Sequence, residues 1–335
     1  MNRGLCLVVG MHRSGTSLMS RCLAAYGVAH GDNLHVNVDN AKGHWEDRDL
    51  IGLNEALLAR LERSWASLTP LSAQQLQEQL QPGDQAAARE LVRARLAAHP
   101  LYAFKDPRTT VLLPFWLPLL QSMPGELRLV LCVRHPWAVA RSLAERDGFH
   151  SLRSLALWLH YNLAAIEALA SCAQPVAVVD YEHLLAQPRQ ELMRLGAALQ
   201  LSLDETAAAS LLADFIDPSL NHHGSGAAAG NLLDANANAN AQPIVALALE
   251  VHAHLHAQAL NGGRPNAQSL QQLTHWRRQL APYLALTSLC DQEYGQLCAC
   301  RRAEAELAEV YQTLSWRMTR PLRWLRAASL GRTGR

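Results

Sequence analysis

The segment that decides the fold is Gly10-Met11-His12-Arg13-Ser14-Gly15-Thr16-Ser17. It follows a short apolar run at residues 5–9, which has the form of a buried parallel strand, and it precedes a predicted helix over residues 16–26. Glycines let the backbone turn tightly and direct successive N–H groups at one anion, and a helix N-terminus adds partial positive charge. The segment therefore predicts a phosphate-binding loop.

The side chains of this loop suit an anion as well. Arg13 carries a permanent charge, while Thr16 and Ser17 offer hydroxyl donors. His12 is predicted to contact the ligand or to pack. The residues predicted to bind the ligand are His12, Arg13, Ser14, Gly15, Thr16 and Ser17. In nucleotide hydrolases a Lys follows the last glycine and reaches the terminal phosphates, whereas this chain has Thr16 there.

Apolar runs and helical repeats alternate along the chain beyond the loop. Further strands are predicted at 102–104, 127–133 and 176–179, with helices at 49–65, 85–98, 137–146, 152–166, 189–199, 243–260 and 267–312. This alternation predicts an α/β fold whose central, mainly parallel sheet is flanked by helices, with a helical extension at the C-terminal end. The predicted domain boundaries are 1–220 for the α/β domain, 221–242 for a flexible linker rich in Ala, Asn and Gly, and 243–335 for the extension with its basic tail.

Composition excludes several functional classes for this chain of 335 residues. A net charge of +1 produces no overall field that would attract nucleic acid, so no nucleic-acid partner is expected. The seven cysteines form no CxxC pair and predict neither a disulfide framework nor a zinc site. No apolar run is long enough to span a bilayer, and the expected location is the cytoplasm.

A second anion site is predicted where the strand at 127–133 ends. Arg134 follows that strand directly, and Ser142 comes eight residues after Arg134 on the next predicted helix. An Arg at the carboxyl end of a parallel strand points into the crevice where ligands bind. The alternative is a surface Arg134 that pairs with Glu145 or Asp147.

Together the two sites resemble the sulfotransferases that use 3′-phosphoadenosine 5′-phosphosulfate (PAPS). In that family the form [KR]-S-G-T-[ST] holds the 5′-phosphosulfate, and an Arg with a Ser eight residues later holds the 3′-phosphate; Arg13 to Ser17, Arg134 and Ser142 match. The segment 178–188 is similar to the family's Y-E-D-L strand end, with His183 where Asp is usual. The resemblance covers about residues 4–220 and implies transfer of a sulfuryl group to a hydroxyl or amine, with PAPS as donor and no metal required.

The candidate general base is Glu46, in a loop that resembles the G-[YFHW]-[WF]-E segment of bacterial and carbohydrate-directed members. His44 is the second candidate. The alternative role for Glu46, shared with Asp47 and Asp49, is to complement the dipole of the following helix. Lys105 is one of only two lysines among 30 basic residues. It is predicted to place a point charge near the sulfonate together with Arg13; otherwise it belongs to a surface cluster with its neighbours at 106 and 108.

Other features leave alternatives open. His252 and His256 stand four apart on a predicted helix, but the only nearby acidic residue is Glu250, so they are assigned to a solvated face and no metal site is predicted. A P-loop kinase remains an alternative, because the apolar strand that ends at Asp180 is similar to the kinase strand that ends in a magnesium-binding Asp. A binding module without catalysis is another.

The C-terminal segment 311–326 resembles a tail found on bacterial glycosyltransferases of surface-polysaccharide assembly. The resemblance implies a glycan or glycolipid acceptor and contact with a glycosyltransferase or the inner membrane surface. A disordered basic tail is the alternative. Trp and Leu beside several Arg fit a peripheral, interfacial segment.

Overall fold

The computed structural model describes residues 4–31, 33–34, 45–215 and 238–319. Its sheet contains the strands β1 (Gly4–Gly10), β2 (Leu101–Lys105), β3 (Glu126–Val133) and β4 (Val176–Asp180). They pair in parallel in the order β2-β1-β3-β4. The predicted α/β fold with a parallel central sheet is confirmed.

Helices flank this sheet and continue beyond it. Before β3 they are α1 (Thr16–Leu23), α2 (Arg48–Arg60), α3 (Ala73–Gln79), α4 (Pro82–Ala98) and α5 (Leu113–Gln121). Those that follow β3 are α6 (Pro136–Asp147), α7 (Ser151–Ala170), α8 (Tyr181–Ala186), α9 (Pro188–Leu199), α10 (Glu205–Phe215), α11 (Asn238–Leu260), α12 (Ala267–Leu280), α13 (Leu284–Gln312) and α14 (Leu314–Met318).

The strands are buried on both faces, as their uninterrupted apolar sequences predict. Alternate residues such as Cys6, Val8 and Cys132 join one apolar cluster with Met19 of α1 and Leu195 of α9. The intervening residues point to the other face, where α7 contacts β1 and α11 contacts β3 and β4. Two layers of helices therefore hold the sheet rigid beneath the loops at its carboxyl edge.

The chain divides into two compact units, Met1–Leu284 and Ala285–Arg335. Helices α11 and α12 contact α7, so they belong to the first unit, although the sequence predicts an extension that starts at residue 243. Most of the predicted linker at 221–242 lies outside the described residues. In the second unit, α13 has no buried side chain. Among the described residues, no helix combines the length and the apolar character needed to cross a membrane.

Candidate functional site

The candidate site lies at the carboxyl edge of the sheet, where β1 meets β3. The chain leaves β1 toward β2 on one side and later returns to β3 on the other side, and ligands bind at such a switch point. The strand register places Gly10 opposite Cys132 and Lys105 opposite Val8. The loops that follow β1, β2 and β3 therefore converge.

The loop between β1 and α1 is fixed by its glycines. Gly10 has φ of +146°, and a Cβ there would lie 2.5 Å from the carbonyl oxygen of Cys132, so only glycine fits. The Gly10 N–H donates to Oγ1 of Thr110 at 2.8 Å, and the Thr110 hydroxyl donates to the Gly10 carbonyl at 3.1 Å. The Ser14 hydroxyl donates to the Met11 carbonyl at 2.6 Å. Ser14, predicted as a ligand donor, thus closes the loop on itself.

Helix α1 begins at Thr16 with its N-terminus suited to an anion. Gly15 precedes it with φ of +89°. Within the described chain no side chain caps the helix, and its first turn holds no acidic residue. N–H groups at an uncapped helix start need partners, and the helix dipole favours a negative one.

The two predicted anion sites are joined by two hydrogen bonds. Nε of Arg13, in the first loop, donates to Oγ of Ser142 on α6 at 2.7 Å. Nη1 of Arg134 donates to the carbonyl oxygen of Arg13 at 3.1 Å. Positive charge from both loops is thus concentrated at the β1–β3 crevice.

Arg134 is buried, with 8% of its surface exposed. Its guanidinium lies over the ring of Tyr181, 4.3 Å from the ring centroid, and Nε is 3.7 Å from Oε1 of Glu182. The alternative of a surface Arg134 is wrong, because the residue is buried, and Asp147 pairs with Arg146. Burial, reinforced by Asp180, raises the pKa of Glu182.

Lys105 ends β2 and is 2% exposed, so the predicted alternative of a surface cluster is wrong. Its Nζ donates to Oε1 of Glu46 at 2.5 Å and to Oγ of Ser17 at 3.1 Å. Asp106, the next residue, binds elsewhere, since it accepts from Asn54 and pairs with Arg108. The ammonium of Lys105 therefore bridges the phosphate-binding loop and the candidate base.

The acidic residues at the start of α2 have separate roles. Asp47 caps the helix by accepting from the Asp49 N–H at 2.9 Å. Burial would raise the pKa of Asp47, but hydrogen bonds from Arg95 and Tyr102 hold it below its ordinary value. Asp49 also pairs with Arg95. Asp47 and Asp49 thus serve the helix, whereas Glu46 faces Lys105. His44, the second candidate base, lies outside the described residues.

His12 packs inside the site. Its ring lies 4.5 Å from the ring of Trp65 and 6.0 Å from that of Tyr161, measured between centroids. Burial, with the positive charges of Arg108 and Arg146, lowers the pKa of His12 well below its usual range. A neutral, enclosed imidazole suits packing against these two aromatic rings. The buried Nε2 of His12 has no hydrogen-bond partner among the described residues.

The structure also identifies site residues that the sequence analysis did not single out. Tyr181 lies between the two loops, because its ring contacts Arg134 and would be 2.4 Å from a Cβ at Gly15. Thr110 anchors Gly10 from a short 3₁₀ helix. The sequence signal for Tyr181 is its place in the segment 178–188, where it matches the Tyr of the family's Y-E-D-L strand end. The sequence carries no comparable signal for Thr110, which is 100 residues from its partner.

Comparison with known protein families shows which family has a similar sequence over the residues of this site. A model described as the sulfotransferase family matches residues 6–205, more than half of the chain. The chain belongs to this family. The match extends from β1 to the start of α10 and includes the loop, Lys105, Arg134 and Ser142. The resemblance found in the sequence is therefore confirmed at the level of the sulfotransferase family.

Two solved structures are similar to this sulfotransferase. The sulfotransferase domain of the olefin synthase from Synechococcus PCC 7002 is 20% identical, covering 67% of this chain and 84% of that one, with a TM-score of 0.41. Sulfotransferase STF1 from Mycobacterium tuberculosis H37Rv is 14% identical, covering 64% and 74%, with a TM-score of 0.35. No match was found among curated proteins.

Proposed function

We propose that this sulfotransferase takes a sulfuryl group from PAPS and transfers it to a hydroxyl or amine of a surface polysaccharide or glycolipid. The observation that carries the proposal is the hydrogen bond of 2.7 Å between Arg13 and Ser142, which joins the two anion-binding loops. A nucleotide with phosphates at both the 5′ and 3′ positions needs two such loops, whereas ATP needs only one.

The residues present fit this donor. Arg134 Nε is buried and has no hydrogen-bond partner in the described part of the chain, and α1 begins without a capping side chain. Such donors are satisfied by an anion. The loop at 13–17 would hold the 5′-phosphosulfate, and Arg134 with Ser142 would hold the 3′-phosphate. When bound, PAPS supplies a sulfuryl group already activated by a phosphate leaving group.

The chain's own cations would stabilise negative charge on the phosphate side of the site. Arg13 and Lys105 both reach the loop, since Arg13 lies in it and Lys105 contacts Ser17. Preorganised donors aimed at developing charge are the largest single contribution in many enzymes. Because these donors are cationic side chains, the transfer needs no metal clamp.

Glu46 would accept the proton of the acceptor. Its carboxylate is 11% exposed and lies beside Lys105, which also contacts Ser17 of the loop. A general base must lie within hydrogen-bond reach of the proton that it removes. The contact with Lys105 holds the carboxylate at the transfer site instead of at the helix terminus.

The kinase alternative is less well supported by the topology. It requires Asp180 to hold magnesium beside the phosphate-binding loop. Asp180 ends β4, which β3 separates from β1. Two strand spacings of about 4.8 Å place β4 about 10 Å from the loop strand. One oxygen of Asp180 also caps α8 by accepting from the His183 N–H at 2.8 Å.

The acceptor class and the location rest on the resemblance of the C-terminal tail, whose residues 320–335 lie outside the described chain. Exposed apolar side chains on α13, among them Leu286, Leu289 and Leu297, support contact with a glycosyltransferase or the inner membrane surface. We therefore propose a cytoplasmic enzyme that associates peripherally with that surface.

The direct test uses PAPS with a radioactive sulfur label and a mixture of bacterial polysaccharides and glycolipids. The expected result is label in an acid-precipitable or lipid fraction, with no label transferred from γ-labelled ATP. Glu46→Gln serves as the inactive control and Asp49→Asn as the matched active control. Phosphoryl transfer from ATP without sulfuryl transfer would support the kinase instead. Nucleotide binding with neither transfer would support a binding module.

A further inference from the structure

A second cluster, made of residues not assigned to sulfuryl transfer, lies where β4 ends against α11. Nδ1 of His256 is 2.9 Å from Oδ2 of Asp180, and Nε2 of His252 is 3.7 Å from the same oxygen. Among the described residues, this is the one group of three His, Cys, Asp or Glu side chains whose ligand atoms all lie within 4.8 Å of one another. The sequence assigned these histidines to a solvated face, but His252 is only 14% exposed.

The separations are close to those of a metal site. Ligand atoms about 2.0–2.1 Å from a tetrahedral metal ion lie about 3.3 Å from each other. The two distances to Asp180 Oδ2 fall on either side of this value. His252 and His256 are four residues apart on one face of α11, the spacing at which helical side chains converge. Small rotations of the two rings would bring all three atoms to one ion.

Hydrogen bonding within the protein satisfies the cluster only in part. Oδ1 of Asp180 caps α8, and Oδ2 is hydrogen-bonded to Nδ1 of His256 at 2.9 Å. Nε2 of His252 is buried and has no hydrogen-bond partner among the described residues. A buried polar atom without a partner costs free energy, and a metal ion would use its lone pair. His135 packs edge-to-face on His252, with 4.9 Å between ring centroids, and so fixes that ring.

We propose that Asp180 Oδ2, His252 Nε2 and His256 Nδ1 bind one divalent first-row transition-metal ion. Imidazole and carboxylate ligands suit zinc and its neighbours in that series. Three protein ligands leave one position for water, and His256, with 40% of its side chain exposed, provides the route of entry. The ion would join α11 to the end of β4 and would take no part in sulfuryl transfer.

The test is a titration of the full-length, untagged chain with Co²⁺ alone, followed by displacement with Zn²⁺. Cys290, Cys298 and Cys300 are changed to Ser first, because thiols that are at least partly exposed also bind these ions. The expected result is one Co²⁺ per chain, detected by its visible absorption. His252→Ala and His256→Ala should each lower the affinity at least about tenfold, the size reported even for supporting residues.

His254→Ala is the matched control. His254 lies between the other two on α11 but contacts Ser269, so its removal should leave Co²⁺ affinity unchanged. X-ray absorption of the Zn²⁺-loaded chain requires no substitution in the cluster. The spectrum should indicate two imidazole ligands on the zinc ion. Absence of stoichiometric Co²⁺ binding, equal losses in all three variants, or fewer than two imidazoles would overturn the proposal. None of these measurements depends on PAPS.

Discussion

Nζ of Lys105 lies 2.5 Å from Oε1 of Glu46, and the pair is almost entirely buried at the end of β2. A buried ion pair is no strong source of stability, because removing both charges from water costs about as much as their attraction returns. Its position beside the phosphate-binding loop supports a functional role.

Glu46→Gln should lower sulfuryl transfer about 10²–10⁴-fold, the usual contribution of a positioned general base. Affinity for adenosine 3′,5′-bisphosphate should stay the same, because the amide keeps the shape of the side chain. Both quantities are measured on the same preparation, by label transfer and by calorimetry. The control is Asp49→Asn on α2, where the carboxylate binds Arg95 and not Lys105. Full transfer by Glu46→Gln would show that another group, with His44 the first to examine, removes the proton.

Lys105→Met should destabilise the fold by about 3–5 kcal/mol, because it leaves the Glu46 carboxylate buried without a partner. The double variant Lys105→Met/Glu46→Leu should recover most of this loss, since neither charge remains. Urea denaturation of the two proteins measures the free energies of unfolding. If the double variant were less stable than Lys105→Met alone, contacts of Lys105 other than the one with Glu46 would account for its contribution to the free energy of unfolding.

Excess EDTA should leave nucleotide binding and sulfuryl transfer unchanged. Arg13 and Lys105 provide the positive charge at the loop, and a sulfuryl group carries less charge than a phosphoryl group. Initial rates with EDTA, and with magnesium restored, provide the measurement. A strict magnesium requirement accompanied by ATP consumption would favour the kinase.

The stability of the protein should fall between pH 6.5 and pH 4 through His30. Burial, reinforced by the charge of Lys105, lowers the pKa of His30 from 6.5 to about 4. In this window the unfolded chain binds a proton that the folded chain does not, so acid favours unfolding by about 1.4 kcal/mol per pH unit for such a group. Thermal or urea unfolding of His30→Gln should show a shallower pH dependence than the wild type. The exposed His275→Gln serves as control and should match the wild type.

Much of the fold could be predicted because its strands are local apolar runs. β1, β3 and β4 are each bounded by polar residues or turns, and their loops follow directly in the sequence. Helix α5 was missed because it is apolar on all sides and contains Pro118, so it shows no amphipathic period. Helix α10 was missed as well, since its short Ala-rich repeat resembles the neighbouring linker.

Proximity within the candidate site could be predicted where a motif specifies particular residues, since the structure brings Arg13, Arg134 and Ser142 together. Pairings over long separations could not be predicted, because nothing in the sequence indicates which side chains will face each other. Lys105 and Glu46 are 59 residues apart, and Asp180 and His256 are 76 residues apart. Both pairs result from the order of the strands and the packing of α11 on β4.

The most direct test of the account compares two nucleotides by calorimetry. Adenosine 3′,5′-bisphosphate should bind roughly ten- to a hundredfold more tightly than AMP, because a charged hydrogen bond contributes about 1.5–3 kcal/mol. Arg134→Ala should abolish the preference. Arg189→Ala, which removes an exposed Arg that pairs with Glu205, should keep it. Equal affinity of the wild type for the two nucleotides would contradict the assignment of Arg134 and Ser142 to a 3′-phosphate, and with it PAPS as the donor.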